Sequence, residues 1–114
     1  RSPIMESLSS QTVNTLTNIT NLILIAWRDH SEELEQCIEN LKQLKVFVYM
    51  MFCSNQVIRK LEQHCRFLTQ LEVYSSSRVT GDCIESISRM KKLVHIEVQF
   101  INLTTRVEGR LYSN

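Results

Sequence analysis

Four cysteines, three histidines and twelve acidic side chains are the groups in this 114-residue chain that offer nucleophiles, bases or metal ligands. Cys37, Cys53, Cys65 and Cys83 are 16, 12 and 18 residues apart, so the chain has no C-x-x-C pair and no zinc-knuckle spacing. His30, His64 and His95 are as widely dispersed, and no H-E-x-x-H, G-x-S-x-G, G-x-x-x-x-G-K or G-x-G-x-x-G motif occurs. Adjacent His64 and Cys65 cannot share a helical face, which makes them a poor nucleophile and base pair. His95 and Glu97 fall on one side of a strand, but a single such pair is common by chance. The expectation is a protein without catalysis, metal or cofactor, whose cysteines are buried, reduced thiols. That thiol usage in turn points to a cytoplasmic or nuclear location.

Composition supports a folded chain. Hydrophobic residues make up 43% and charged residues 22%, enough apolar material for one core. Thirteen basic residues against twelve acidic ones leave a net charge of +1. That supplies no basic field for sequence-independent nucleic-acid binding and no polybasic membrane signal. The longest apolar run, Val46 to Cys53, has eight residues and reads as a buried strand, too short to span a bilayer. Two Gly and one Pro argue against a barrel of many tight turns and for long regular elements. The chain opens on Arg1, and the expectation is a piece of a longer protein.

Those elements repeat. Four segments share the form L-x-x-L-x-x-L-x-L with aliphatic substitutions: Leu16 to Leu24, Ile38 to Val46, Cys65 to Val73 and Met90 to Val98. From Leu22 to Leu44, Leu71 and Ile96 the steps are 22, 27 and 25 residues, inside the window of about 20–29 for leucine-rich repeats. Within each unit the apolar spacing passes from three, one face of a helix, to two, one face of a strand. The predicted fold is therefore α/β: a short solenoid of about four helix and strand units, parallel sheet on the concave side and helices on the convex side. It forms one domain over residues 1–114, with repeats at approximately 5–27, 31–50, 54–76 and 80–101.

Helix starts agree with this division. Ser31 supplies a hydroxyl cap before Leu34, Ile38 and Leu41, and Ser54-Asn55 precedes Val57, Ile58, Leu61 and Cys65. Thr80-Gly81-Asp82 precedes Ile84, Ile87 and Met90, while Ile4, Leu8, Val13 and Leu16 suggest a first helix.

The run Cys65-Arg-Phe-Leu68-Thr-Gln-Leu71-Glu-Val73, followed by Arg78-Val79-Thr80-Gly81-Asp82-Cys83-Ile84, resembles the cysteine-containing leucine-rich repeats of F-box proteins. The resemblance covers roughly residues 16 to 100, and only Cys65 occupies the helix-closing cysteine position. It implies a curved solenoid and a role as the substrate-binding arm of a cullin-type ubiquitin ligase, the remaining subunits meeting regions outside this chain. Short arrays of about four repeats also occur in nuclear RNA-export factors.

Residues alternating with the buried strand positions face solvent. Aligned on the steps above, they form the rows Asn21, Gln43, Gln70, His95; Ile23, Lys45, Glu72, Glu97; Ile25, Phe47, Tyr74, Gln99; and Trp27, Tyr49, Ser76, Ile101. The predicted binding surface on the concave face comprises Ile23, Ile25, Trp27, Lys45, Phe47, Tyr49, Glu72, Tyr74, Glu97 and Gln99. Trp27, Phe47, Tyr49 and Tyr74 stand at its centre, since exposed aromatic patches mark protein interfaces and their hot spots. Lys45 is expected to pair laterally with Glu72. In this register Phe47→Asp leaves folding intact and Val46→Asp unfolds the domain. Two other dispositions of the patch stay open: an N-terminal segment covering Ile23 and Ile25, or Trp27 packing on its own helix.

The expected partner is therefore another protein, with nucleic acid and membrane disfavoured. The competing classes are a repeat domain of an RNA-processing or export factor and a structural oligomerisation element using the solenoid's ends.

Overall fold

The computed structural model describes residues 4–5, 17–25, 29, 31–50, 52–74, 78–100 and 103–108. Its elements run β1 (Ile4–Met5), β2 (Asn21–Ile25), α1 (Ser31–Cys37) with a 3-10 turn (Ile38–Asn40), β3 (Val46–Met50), α2 (Asn55–His64), β4 (Gln70–Tyr74), α3 (Cys83–Ser88), β5 (His95–Phe100) and β6 (Leu103–Glu108). The six strands form one sheet in chain order. Pairs β1 to β5 are parallel and β6 closes the sheet antiparallel to β5. The architecture is α/β, a parallel sheet whose strands alternate with helices.

Strand register sets the period. Leu22 pairs with Phe47, Phe47 with Leu71 and Leu71 with Ile96, steps of 25, 24 and 25 residues. Each strand entrance repeats one hydrogen-bond device. The carbonyl of Thr20 accepts from the N–H groups of Lys45 and Val46 at 2.6 and 2.9 Å. That of Lys45 accepts from Thr69 and Gln70 at 2.8 and 3.0 Å, and that of Thr69 from Val94 and His95 at 2.8 and 3.1 Å. The preceding turn also recurs, with Leu44, Leu68 and Leu93 donating to the carbonyls of Leu41, Cys65 and Met90. Two N–H groups at each of these strand entrances thus share one carbonyl of the neighbouring unit, tying successive units together.

This register corrects the second unit. The true equivalents of Ile19, Leu22 and Leu24 are Leu44, Phe47 and Tyr49, so the motif begins at Leu41 and the step from Leu22 is to Phe47, not Leu44. A three-residue offset is odd, and an odd offset exchanges the two faces of a strand. Phe47 and Tyr49 are wholly buried while Val46, Val48 and Met50 lie on the other face. Their rings meet edge to face, centroids 6.0 Å apart at 86°. No buried side-chain nitrogen or oxygen among the described residues lacks a partner. The apolar run from Val46 is thus a strand buried fully on one face only.

The core lies between the sheet and the helices. Leu22, Leu24, Phe47, Tyr49, Leu71, Val73, Ile96 and Val98 meet Leu34, Ile38, Leu41, Val57, Ile58, Leu61 and Ile87. Alternate burial along β2, β3 and β4 leaves their other face half-covered, so the helices occupy one side of the sheet. All four cysteines are free and buried. Burial pushes the Cys65 thiol up to about 12 and Cys83 up to about 11, and it raises Cys37 and Cys53 as well. Cys65 shows why a thiol suits the helix-closing position. Its Sγ donates to the carbonyl of Leu41, the equivalent residue one unit earlier, at 3.4 Å, with Ile38 O at 4.0 Å.

Loops at the helix starts are laced across units. Ser54 Oγ accepts from Val57 N at 3.2 Å, the expected cap of α2. Ser31 is instead the first helical residue: its N–H donates to Asp29 Oδ1 at 2.8 Å and its buried hydroxyl to Phe52 O at 2.6 Å. Burial pushes the Asp29 carboxyl up, but hydrogen bonds from Ser31 and the Arg78 guanidinium hold it below the usual range. Asn55 and Thr80 exchange two hydrogen bonds, at 2.8 and 3.0 Å. The first-helix expectation fails at Ile4, which with Met5 forms a strand beside β2. Leu8, Val13 and Leu16 lie outside the described residues.

Candidate functional site

The face of the sheet away from the described helices presents rows fixed by the register. One row is Asn21, Val46, Gln70 and His95; the next is Ile23, Val48, Glu72 and Glu97; a third holds Ile25, Met50 and Tyr74. Gln99, two residues beyond Glu97, shares their side. Of the predicted surface, Ile23, Ile25, Glu72, Tyr74, Glu97 and Gln99 therefore lie on this face. Phe47 and Tyr49 do not, because they fill the core. Lys45 sits in the turn before β3 and is exposed there, so Val48 rather than Lys45 stands beside Glu72. The expected Lys45 and Glu72 pair is replaced by other partners of Glu72. Trp27, Ser76 and Ile101 lie outside the described residues.

The face divides into two halves of different chemistry. Strands β2 and β3 contribute Ile23, Ile25, Val46, Val48 and Met50, with Ile25 42% exposed. These aliphatic residues replace the aromatic centre expected there. The signal that identifies Val46, Val48 and Met50 is the period itself, because only the Leu41 start gives even spacing between units.

Strands β4 and β5 contribute a polar cluster. Glu72 and Glu97 are register partners on adjacent parallel strands, as Gln70 and His95 are. Both oxygens of Glu72 are engaged: Gln70 Nε2 donates to Oε2 and the Tyr74 hydroxyl to Oε1. His95 Nε2 lies 3.5 Å from Glu72 Oε2. Burial, with Glu72 and then Glu97 close by, pushes the Tyr74 phenol well above its ordinary value, so it stays a donor. On the backbone of β6, Arg106 is the register partner of Glu97.

Among the residues whose side chains are described, no lysine or arginine lies on this face. Arg89, Lys91 and Lys92 follow α3, where Arg89 pairs with Glu62 at 3.2 Å and Glu85 at 3.1 Å. Lys92 Nζ lies 4.7 Å from the centre of the Phe67 ring. Among the described residues no helix is long and apolar enough to cross a membrane. The chain matches no known protein family, no curated protein and no solved structure.

Proposed function

We propose that this chain is a leucine-rich-repeat solenoid that binds another protein on its open sheet face and performs no catalysis. The observation that carries the reading is the aliphatic half of that face. Five apolar side chains stand on two adjacent strands with no helix over them among the described residues, and hydrogen-bonding groups of β4 and β5 border them. A contiguous apolar patch beside a polar rim is the usual anatomy of a recognition surface. The context we favour is substrate recruitment in an F-box-type ubiquitin ligase. What supports it is the resemblance of the third unit, together with the thiol of Cys65 bonded to the preceding unit's turn. A role in RNA processing draws less support, since Arg89 is paired with Glu62 and Glu85 and Lys92 lies against Phe67.

The test is affinity capture from native extract with the chain and two variants, each first shown to be folded by circular dichroism. Ile25→Asp with Met50→Lys places two charges on register partners within the apolar half. Gln63→Lys alters an exposed position on α2. Loss of one defined protein with the first variant and its retention with the second supports the reading, and the protein's identity separates the ubiquitin from the RNA context. A partner list unchanged by the first variant sinks it.

A further inference from the structure

We propose that Glu72, His95 and Glu97 bind a single divalent first-row transition-metal ion of the Zn2+ type at the polar end of the open face. One ligand atom from each of the three side chains falls within 4.8 Å of the others. A tetrahedral Zn2+ site with bonds of about 2.0–2.1 Å needs its donors about 3.3 Å apart. The His95 and Glu72 donors, at 3.5 Å, are nearly there, and rotation of the Glu97 carboxylate closes the rest. No backbone movement is required, because two parallel strands in fixed register carry all three groups.

Charge and environment favour a cation. Glu72 and Glu97 stand directly opposite each other on one face, where like charges repel. The side chains of Glu72 and His95 are only 17% and 24% exposed, which weakens the competition from water. Gln70 and Tyr74 hold the Glu72 carboxylate by one donor on each oxygen. A carboxylate has about four lone-pair sites, so these bonds orient the ligand without consuming it, as outer-shell donors do at known metal centres. The imidazole selects transition ions over Ca2+ and Mg2+, which take oxygen ligands. With three protein donors, a fourth position stays open to solvent or to a bound protein. The site stands whether or not the apolar half has a partner.

The experiment is calorimetric titration of the full chain, stripped with chelator, using Zn2+ alone. The chain is compared with His95→Ala, Glu97→Gln and the helix-side control Glu62→Gln, all checked for folding by circular dichroism. One equivalent should bind. Affinity should fall at least about tenfold in His95→Ala and Glu97→Gln and stay unchanged in Glu62→Gln. Co2+ should give ligand-field bands without thiolate charge transfer, since the four thiols are buried. The proposal is overturned by equal affinity in the chain and its His95→Ala variant, by no saturable binding in the chain, or by thiolate bands that move the ion to the cysteines.

Discussion

Phe47 and Val48 are neighbours in sequence and opposites in energetics, and exchanging their roles is the sharpest test of the register. Phe47 is fully buried in the central strand β3 and meets Tyr49 edge to face. Truncation to Ala removes a transfer contribution of about 2–3 kcal/mol. It also leaves a void on the order of 80 Å3, which at about 24 cal/mol per Å3 adds roughly 2 kcal/mol. The total, about 4–5 kcal/mol, is a large part of the roughly 6–17 kcal/mol expected for a domain of this length. Val48→Thr keeps the β-branched shape on the half-covered face and should cost less than about 1 kcal/mol. The assay is urea unfolding followed by circular dichroism. With a slope of about 2 kcal/mol per molar urea, Phe47→Ala should lower the midpoint by roughly 2 M and Val48→Thr by less than about 0.5 M. If the two costs are equal or reversed, Val48 is the core residue and the register given above is wrong.

Three further outcomes follow from particular contacts. Burial raises Cys65 to about 12 and Cys83 to about 11 in the folded chain against an ordinary value of 9.0, so the folded state binds protons that the unfolded state releases. Stability should therefore be flat from pH 7 to about 8.5 and then fall as pH rises toward the folded values, by up to about 1.4 kcal/mol per pH unit for each thiol. Cys65→Ala should flatten part of that decline in urea titrations across pH. Ser54→Ala removes the acceptor for Val57 N–H and should cost about 1 kcal/mol, whereas Ser54→Asp should restore most of it. Asn55→Ala breaks both bonds to Thr80 and should raise amide exchange at Thr80 without unfolding the sheet.

Much of the fold was legible because apolar spacing is a local consequence of chain geometry. The helices ending near Cys65 and Met90, the strands from Gln70 and His95, and the caps around Ser54 stand where period and residue type put them. The pairing of Glu72 with Glu97 was legible too, since both units were aligned on the correct leucines. The second unit was not. The Ile38 start is purely aliphatic, whereas the start the structure uses, Leu41, ends in Phe47 and Tyr49. Aromatic residues are as able to fill a core as to serve an interface, so their chemistry could not choose a face.

What the sequence by itself determined is the alternation of helix and strand, the repeat, the absence of a linear catalytic motif and the burial of its thiols. Each depends on residues within one unit. The tertiary structure decided which side of β3 is wet, that the sheet's open face is aliphatic on β2 and β3 and acidic on β4 and β5, and that His95 joins two glutamates. These are cross-strand facts, set by hydrogen bonds such as those from Lys45 and Val46 to Thr20, between residues about 25 positions apart. A side-chain period of two cannot reveal them, because moving one strand by an odd number of residues preserves its pattern and inverts its faces.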